Sequence, residues 1–147
     1  MALVEDMFRR FIARQSRFFN HLPFDARQKL ADMENKYAEL RVTGPEGCVL
    51  YFQYKGQHLQ MLDGPPNVPS EKLDRFLVDG DILNYPSGGD EVLFDIIDGS
   101  LSPRAARGRG YFRANTDKIL YDTEEFIQAF EQFLSEMRLV LGGSNAR

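Results

Sequence analysis

Residues 99–110 of this chain read Gly-Ser-Leu-Ser-Pro-Arg-Ala-Ala-Arg-Gly-Arg-Gly, and they predict a helix end, a short helix and the start of a strand. Gly99 can end a preceding helix because glycine reaches the left-handed conformation without a Cβ clash. Pro103 can open a second helix, since the first helical turn needs no proline N–H, and Ser102 before it is a good N-cap. Gly110 then allows the backbone to turn before a strand begins.

On both sides of this stretch, apolar residues recur at helical or strand spacing. Helical spacing predicts four longer helices, over residues 3–20, 24–35, 90–98 and 123–141. Alternating apolar residues predict a strand over residues 37–43, and apolar residues on both faces predict a central strand over 48–54. Three further strands are predicted over residues 57–62, 75–80 and 111–115. This order of helices and strands is typical of an α+β fold. We expect a helical segment at residues 1–36, a domain at 37–141 and a flexible tail at 142–147.

The composition is that of a single globular domain. The chain has 147 residues, which suits one domain with its own core. Its formal charge of −4 argues against a nucleic-acid binder, because such proteins usually carry a net basic face. The single cysteine excludes an internal disulfide, and no apolar run approaches the ~20 residues of a membrane span. Arginines interrupt the apolar residues of the N-terminus, so a secretory pattern is missing and we expect a cytoplasmic protein.

Residues for catalysis or metal binding do not form a recognisable motif. The metalloprotease, nucleophile-elbow and phosphate-loop motifs are all missing from the sequence. His21 and His58 are the two imidazoles, and we interpret both as surface or half-buried polar residues. Cys48 has no base partner and is interpreted as a small core residue. Loop solvation and capping explain Asp79 and Asp81 better than acid–base chemistry. We therefore expect no enzyme activity, no metal and no cofactor.

Four arginines lie within ten residues of one another: Arg104, Arg107, Arg109 and Arg113. Guanidinium groups at this density favour a phosphate or carboxylate partner, such as a lipid headgroup or a membrane surface. The alternative is a solvated surface whose charge is balanced by three aspartates, Asp95, Asp98 and Asp117.

The first predicted helix, at residues 3–20, carries a phenylalanine-rich face beside an arginine-rich face. Such a helix suits a membrane interface, and it equally suits ordinary packing on a sheet. The phenylalanine stripe of the predicted helix at 123–141 also has two interpretations, the wall of a lipid pocket or the wall of an ordinary core. A lipid-pocket wall and a core wall both need apolar residues at helical spacing.

The stretch at residues 99–110 resembles the end of the sterol carrier protein type two domain, a small lipid-binding fold. Five residues occupy the signature positions of that family: Gly99, Leu101, Pro103, Ala106 and Gly110. The resemblance extends over about residues 37–140. It implies a five-stranded, mostly antiparallel sheet covered on one face by helices. It further implies an apolar tunnel between the sheet and the helices.

The resemblance implies a set of ligand-contacting residues. By element and face, the tunnel would be lined by Phe94, Ile97, Leu101, Phe112, Phe130, Leu134 and Met137. We expect Arg104, Arg107 and Arg109 to contact a lipid headgroup or the membrane surface. Arg107 departs from the family, which often has a large apolar residue at this position.

Two functional hypotheses follow. The first is non-enzymatic binding or transfer of an apolar small molecule, such as a fatty acyl compound, an isoprenoid quinone or a sterol-like lipid. The second is an interaction or accessory domain with the same fold and no open tunnel, which dimerises or assists a lipid-modifying complex. We expect a monomer or homodimer that makes transient membrane-surface contact and binds no nucleic acid. A lipid-metabolising enzyme is disfavoured because no nucleophile, base and orienting group can be named together.

Overall fold

A computed structural model describes residues 3–21, 24–31, 34–56 and 58–114. Its helices and strands, in chain order, are α1 (Leu3–His21), α2 (Phe24–Ala31), β1 (Tyr37–Val42), β2 (Cys48–Lys55), β3 (His58–Met61), β4 (Leu73–Val78), α3 (Gly89–Asp98), α4 (Pro103–Gly108) and β5 (Phe112–Ala114). A single 3-10 turn, Ser70–Lys72, precedes β4. The α+β class is confirmed. The helix predicted at 123–141 and the tail at 142–147 lie outside the described residues.

The five strands form one sheet in the order β3-β2-β1-β4-β5. The central strand β1 pairs antiparallel with β2, where Leu40 lies opposite Leu50. On its other side β1 pairs parallel with β4, where Leu40 lies opposite Phe76. The sheet is therefore mixed, and the expectation of a mostly antiparallel sheet is corrected. The proline-rich crossing after β3 carries the chain back to the end at which β1 began, so β4 runs in the same direction as β1.

The register places one set of apolar residues from every strand on the same face of the sheet. Leu40 and Val42 lie opposite Leu50 and Cys48 on β2, and Val78 lies opposite Phe112 on β5. The helices pack on this face and complete one apolar cluster, contributing Val4, Phe8, Val92, Ile96 and Ala106. The predicted coverage of one face by helices is therefore confirmed for the described helices α1, α3 and α4.

Helix α1 packs against the sheet, which was one of the two predicted alternatives for its phenylalanine-rich face. Val4 is fully buried, and the Phe8 ring lies 6.1 Å from the ring of Phe52 on β2. The buried Gln15 side chain accepts a hydrogen bond from the Leu59 N–H at 2.7 Å and donates one to the Leu59 carbonyl at 2.9 Å. Gln15 thus satisfies the backbone of the edge strand β3. No helix among the described residues is both long and apolar enough to cross a bilayer.

The stretch at residues 99–110 folds as the sequence predicts. Gly99 adopts the left-handed conformation with φ of 91° at the end of α3. The Ser102 hydroxyl accepts a hydrogen bond from the Ala105 N–H at 3.1 Å, and Pro103 opens α4. Gly110 takes φ of 79° immediately before Tyr111. The boundaries of other elements shift by a few residues: α2 ends at Ala31 and β4 begins at Leu73.

The β1–β2 turn meets the first turn of α3 in a polar, glycine-lined contact. The Asp90 carboxylate, only 2 % exposed, accepts hydrogen bonds from the Glu46 N–H at 2.9 Å and the Ser87 hydroxyl at 3.1 Å. Gly44 has φ of 105°, and a Cβ on it would lie 2.2 Å from the Asp90 carboxylate. A Cβ on Gly88 would lie 2.7 Å from the Gly44 nitrogen. The backbones approach this closely because both positions are glycine.

We predict that Gly44→Ala destabilises the fold far more than Gly56→Ala. Both glycines have positive φ, but a Cβ on Gly56 meets nothing within 4 Å. Gly56→Ala should therefore cost about 1 kcal/mol of unfolding free energy, from the backbone conformation alone. Gly44→Ala adds a clash with the Asp90 carboxylate and should cost about 3 kcal/mol or more. Urea denaturation of both variants measures the difference, and equal losses would contradict the role given to this contact.

Candidate functional site

Four of the predicted lining residues belong to one apolar layer between the sheet and the helices α3 and α4. Leu101 is buried in the core cluster, while Phe94 and Ile97 are half-buried and pack against it. Phe112 stacks on Phe76, with ring centroids 6.0 Å apart and an interplanar angle of 24°. The structure thus brings together predicted residues from α3, the α3–α4 link and β5. The other predicted lining residues, Phe130, Leu134 and Met137, lie outside the described residues.

The four arginines do not form one group. Arg104 and Arg109 are exposed and Arg107 is half-buried, and these three lie on or directly after α4. Arg113 pairs with Asp79, with Nη2 3.4 Å from Oδ2. Arg113 lies opposite Leu77, so it occupies the sheet face away from Phe112 and the helical layer. Arg113 is therefore separated from the predicted headgroup arginines on and directly after α4, of which Arg107 has a buried Nη1 atom.

A surface cleft of about 240 Å³ lies at the end of β4. Its lining comes from Thr43 and from the loop between β4 and α3: Asp79, Gly80, Asp81, Ile82, Tyr85, Pro86, Ser87 and Gly88. The Thr43 hydroxyl joins the two, because it donates to Asp79 Oδ1 at 2.7 Å and accepts from the Gly89 N–H at 2.8 Å. The loop between β4 and α3 is thus tied to the end of β1 and to the start of α3.

The Asp81 carboxylate caps a turn that lines the cleft. Its Oδ1 accepts hydrogen bonds from the backbone N–H groups of Asn84 at 2.6 Å and Tyr85 at 3.0 Å. Its Oδ2 accepts one from the Tyr111 hydroxyl at 2.5 Å. These bonds, the Tyr111 bond foremost, lower the pKa of Asp81 from 3.8 to about 2. Asp81 is therefore an ionised capping group at every physiological pH.

The side chains of Tyr85 and Tyr111 connect the same turn to the rest of the fold. The Tyr85 hydroxyl donates to Asp95 Oδ2 on α3 at 2.8 Å, and the two rings meet edge to face with centroids 5.1 Å apart. Burial and the Asp95 carboxylate raise the pKa of Tyr85 to about 12. The hydrogen bond to Asp81 raises the pKa of Tyr111. Both phenols therefore remain protonated donors, and they anchor the turn to α3 and to the residue before β5.

The two carboxylates of the cleft, Asp79 and Asp81, accept hydrogen bonds from neighbouring groups. The Thr43 hydroxyl lowers the pKa of Asp79, so neither this carboxyl nor Asp81 titrates near pH 7. Burial raises the pKa of the Cys48 thiol, which packs against the core as the sequence predicts. His58 is exposed in the hairpin, with Nδ1 3.0 Å from the Gly56 carbonyl. Among the described residues no group of His, Cys, Asp and Glu is placed to hold a metal ion.

Sequence reasoning missed the pairing of Asp81 with Tyr111. The two residues are separated by 30 positions, and Asp81 was interpreted as a loop-solvating or capping carboxylate. Its place ahead of a short turn is a signal for capping, which the structure bears out, but it does not identify the tyrosine partner.

No protein-family model matches this chain, and no curated protein matches it either.

We predict that Tyr111→Phe raises the pKa of Asp81 toward 3.8 and that Tyr85→Phe leaves it low. Tyr85 contacts Asp81 through its backbone N–H, so the second variant is a matched control. Because folding lowers this pKa, the ionised carboxylate stabilises the fold above about pH 4, and that contribution is lost as pH falls toward 2. Tyr111→Phe should therefore weaken the acid sensitivity of stability in this window. NMR titration of the aspartate side-chain carbons reports the pKa, and an unchanged value in Tyr111→Phe would contradict the assignment.

Proposed function

We propose that this chain binds an apolar small molecule in a site between the sheet and helices α3 and α4, as a sterol-carrier-like domain would. One observation carries the proposal. Four of the residues assigned to ligand contact lie among the described residues: Phe94, Ile97, Leu101 and Phe112. They come from three parts of the chain and share a single apolar layer. A ligand of fatty acyl, isoprenoid or sterol type matches such a lining, which has few polar groups.

The half-buried residues of α3 give the ligand its contact surface. Val92 and Ile96 point into the deepest part of the core, whereas Phe94 and Ile97 pack against that core and keep part of their surface exposed. Each methylene that leaves water contributes about 0.8 kcal/mol. A ligand segment of about ten methylenes thus contributes on the order of 8 kcal/mol before ordering costs.

The arginines of α4 supply a polar end for the same ligand. Arg104 is exposed three residues after Leu101, a residue of the apolar layer, and Arg109 is exposed just after α4. Guanidinium groups bind carboxylate and phosphate through paired hydrogen bonds. An apolar chain that ends in an anionic group therefore fits this arrangement.

We predict that native mass spectrometry of the purified protein shows a stoichiometric apolar adduct that organic extraction releases. The extracted compound identifies the ligand class directly. A protein that carries no adduct and also fails to bind a fluorescent fatty acid would contradict the proposal. Self-association in a light-scattering concentration series would then favour the interaction-domain alternative.

We further predict that Ile97→Asp weakens binding of the fluorescent fatty acid at least about tenfold, since an ionised carboxylate in an apolar site is strongly unfavourable. Val49→Asp is the control, because Val49 is 37 % exposed and lies on the opposite face of the sheet. Circular dichroism establishes that both variants are folded. Equal losses of affinity in the two variants would place the ligand elsewhere.

A further inference from the structure

The side-chain amide of Gln15 on α1 pairs with the edge strand β3 as a residue of a further strand would. Its oxygen accepts a hydrogen bond from the Leu59 N–H at 2.7 Å, and its nitrogen donates to the Leu59 carbonyl at 2.9 Å. The same nitrogen donates to the Ile12 carbonyl at 3.2 Å, which fixes the amide to its own helix. One side chain thus occupies both hydrogen-bonding groups of a strand residue, as a paired strand does.

The backbone groups of Leu59 lie on the outer side of β3. Directly after this strand, the Leu62 N–H donates to the Tyr51 carbonyl of β2 at 2.8 Å, and successive residues of a strand direct their backbone groups to opposite sides. Leu59 therefore directs its N–H and carbonyl away from β2, at one edge of the sheet that the described strands form. Such an edge is a template for pairing with a strand of another molecule.

The sequence of β3 lacks the residues that commonly protect an edge strand. The four residues of the strand read His58-Leu59-Gln60-Met61, without a proline, a lysine or a carboxylate. Proteins also protect edges by covering them with another element, and here that element is α1. Gln15 makes the covering contact and is only 7 % exposed.

Helix α1 is attached at two separate places. At its start, the Val4 N–H donates to the Glu46 carbonyl at 3.2 Å, and the Val4 side chain is fully buried. Gln15 lies about three helical turns further along and attaches the helix to β3. Without the amide, the Leu59 N–H and carbonyl would lie against α1 without partners, which is unfavourable. These groups regain partners when this part of α1 moves away and water or another strand replaces it.

We propose that Gln15 protects the β3 edge from pairing with the β3 strand of a second copy of this chain. Two copies of one edge strand can pair antiparallel about a twofold axis, because the same edge then contacts itself. Such pairing would join two five-stranded sheets into one continuous sheet. This protection does not depend on the proposed ligand, since Gln15 and Leu59 are not among the residues assigned to ligand contact.

Two substitutions of Gln15 in the full chain test this protection. Gln15→Leu removes both hydrogen bonds to Leu59 at similar side-chain size, and Gln15→Asn withdraws the amide by one methylene without adding apolar surface. Each variant should self-associate at least about tenfold more tightly than the wild type in analytical ultracentrifugation, because the edge is no longer held closed. Ala13→Leu is the control, since it adds an apolar side chain at an exposed position of α1 and should associate like the wild type.

A charge on β3 distinguishes edge pairing from association through another surface. Gln60 is exposed and lies opposite Gln53, on the sheet face away from the helices, so Gln60→Lys introduces no buried charge. When two β3 strands pair, this substitution brings like charges close together. The double variant Gln15→Asn/Gln60→Lys should therefore return to the association of the wild type.

Hydrogen exchange of the Leu59 amide, measured by NMR, reports on the edge itself. In dilute Gln15→Asn this amide should exchange at least about tenfold faster than in the wild type, because its acceptor has been withdrawn. The exchange should slow again as the protein concentration rises, because a second β3 strand then supplies an acceptor. Circular dichroism establishes that each variant is folded, and Gln15→Asn keeps the test available if Gln15→Leu does not fold.

Three results would contradict the proposal. Unchanged association of folded Gln15→Asn would show that the edge stays closed without the amide. Equal association in Gln15→Asn and in the double variant, or in Gln15→Leu and in Ala13→Leu, would place the contact on another surface. Exchange of the Leu59 amide that does not change with protein concentration in Gln15→Asn would exclude pairing through β3.

Discussion

The buried carboxylate of Asp90 joins the sheet to the helical layer. It lies in the first turn of α3, where free backbone N–H groups and the helix dipole favour a negative charge. From there it binds the Glu46 N–H of the β1–β2 turn, and the Asp90 N–H donates to the Thr43 carbonyl at 2.9 Å. Because a buried carboxylate without partners is very unfavourable, these contacts fix where α3 begins on the sheet.

The position of α3 determines where the proposed ligand site lies and how the loop after β4 is held. On one side of the helix, Val92 and Ile96 enter the core and leave Phe94 and Ile97 at its margin, where the apolar ligand is proposed to lie. Elsewhere on the helix, Asp95 accepts a hydrogen bond from the Tyr85 hydroxyl and so helps to fix the turn after β4. A displacement of the helix start would therefore disturb both the proposed ligand site and this turn.

Much of the local structure was predictable because it depends on neighbouring residues. Gly99, Ser102 and Pro103 predicted the end of α3 and the start of α4, and each acts within one helical turn. The strands were predicted within a few residues of their observed bounds. The direction of β4 was not predictable, since alternation of period two is the same in parallel and antiparallel pairs.

The contacts that sequence reasoning missed join residues far apart in the chain. Gln15 satisfies the backbone of Leu59 across 44 positions, and Tyr111 reaches Asp81 across 30. Local propensity is encoded in short windows, because backbone conformation depends on adjacent side chains and their nearest hydrogen bonds. Which polar group satisfies which depends on distances that arise when the sheet and helices pack together. The sequence thus sets the elements and their apolar faces, while packing sets strand direction, the partners of Asp81 and Asp90, and the exposure of Ile82 and Leu83.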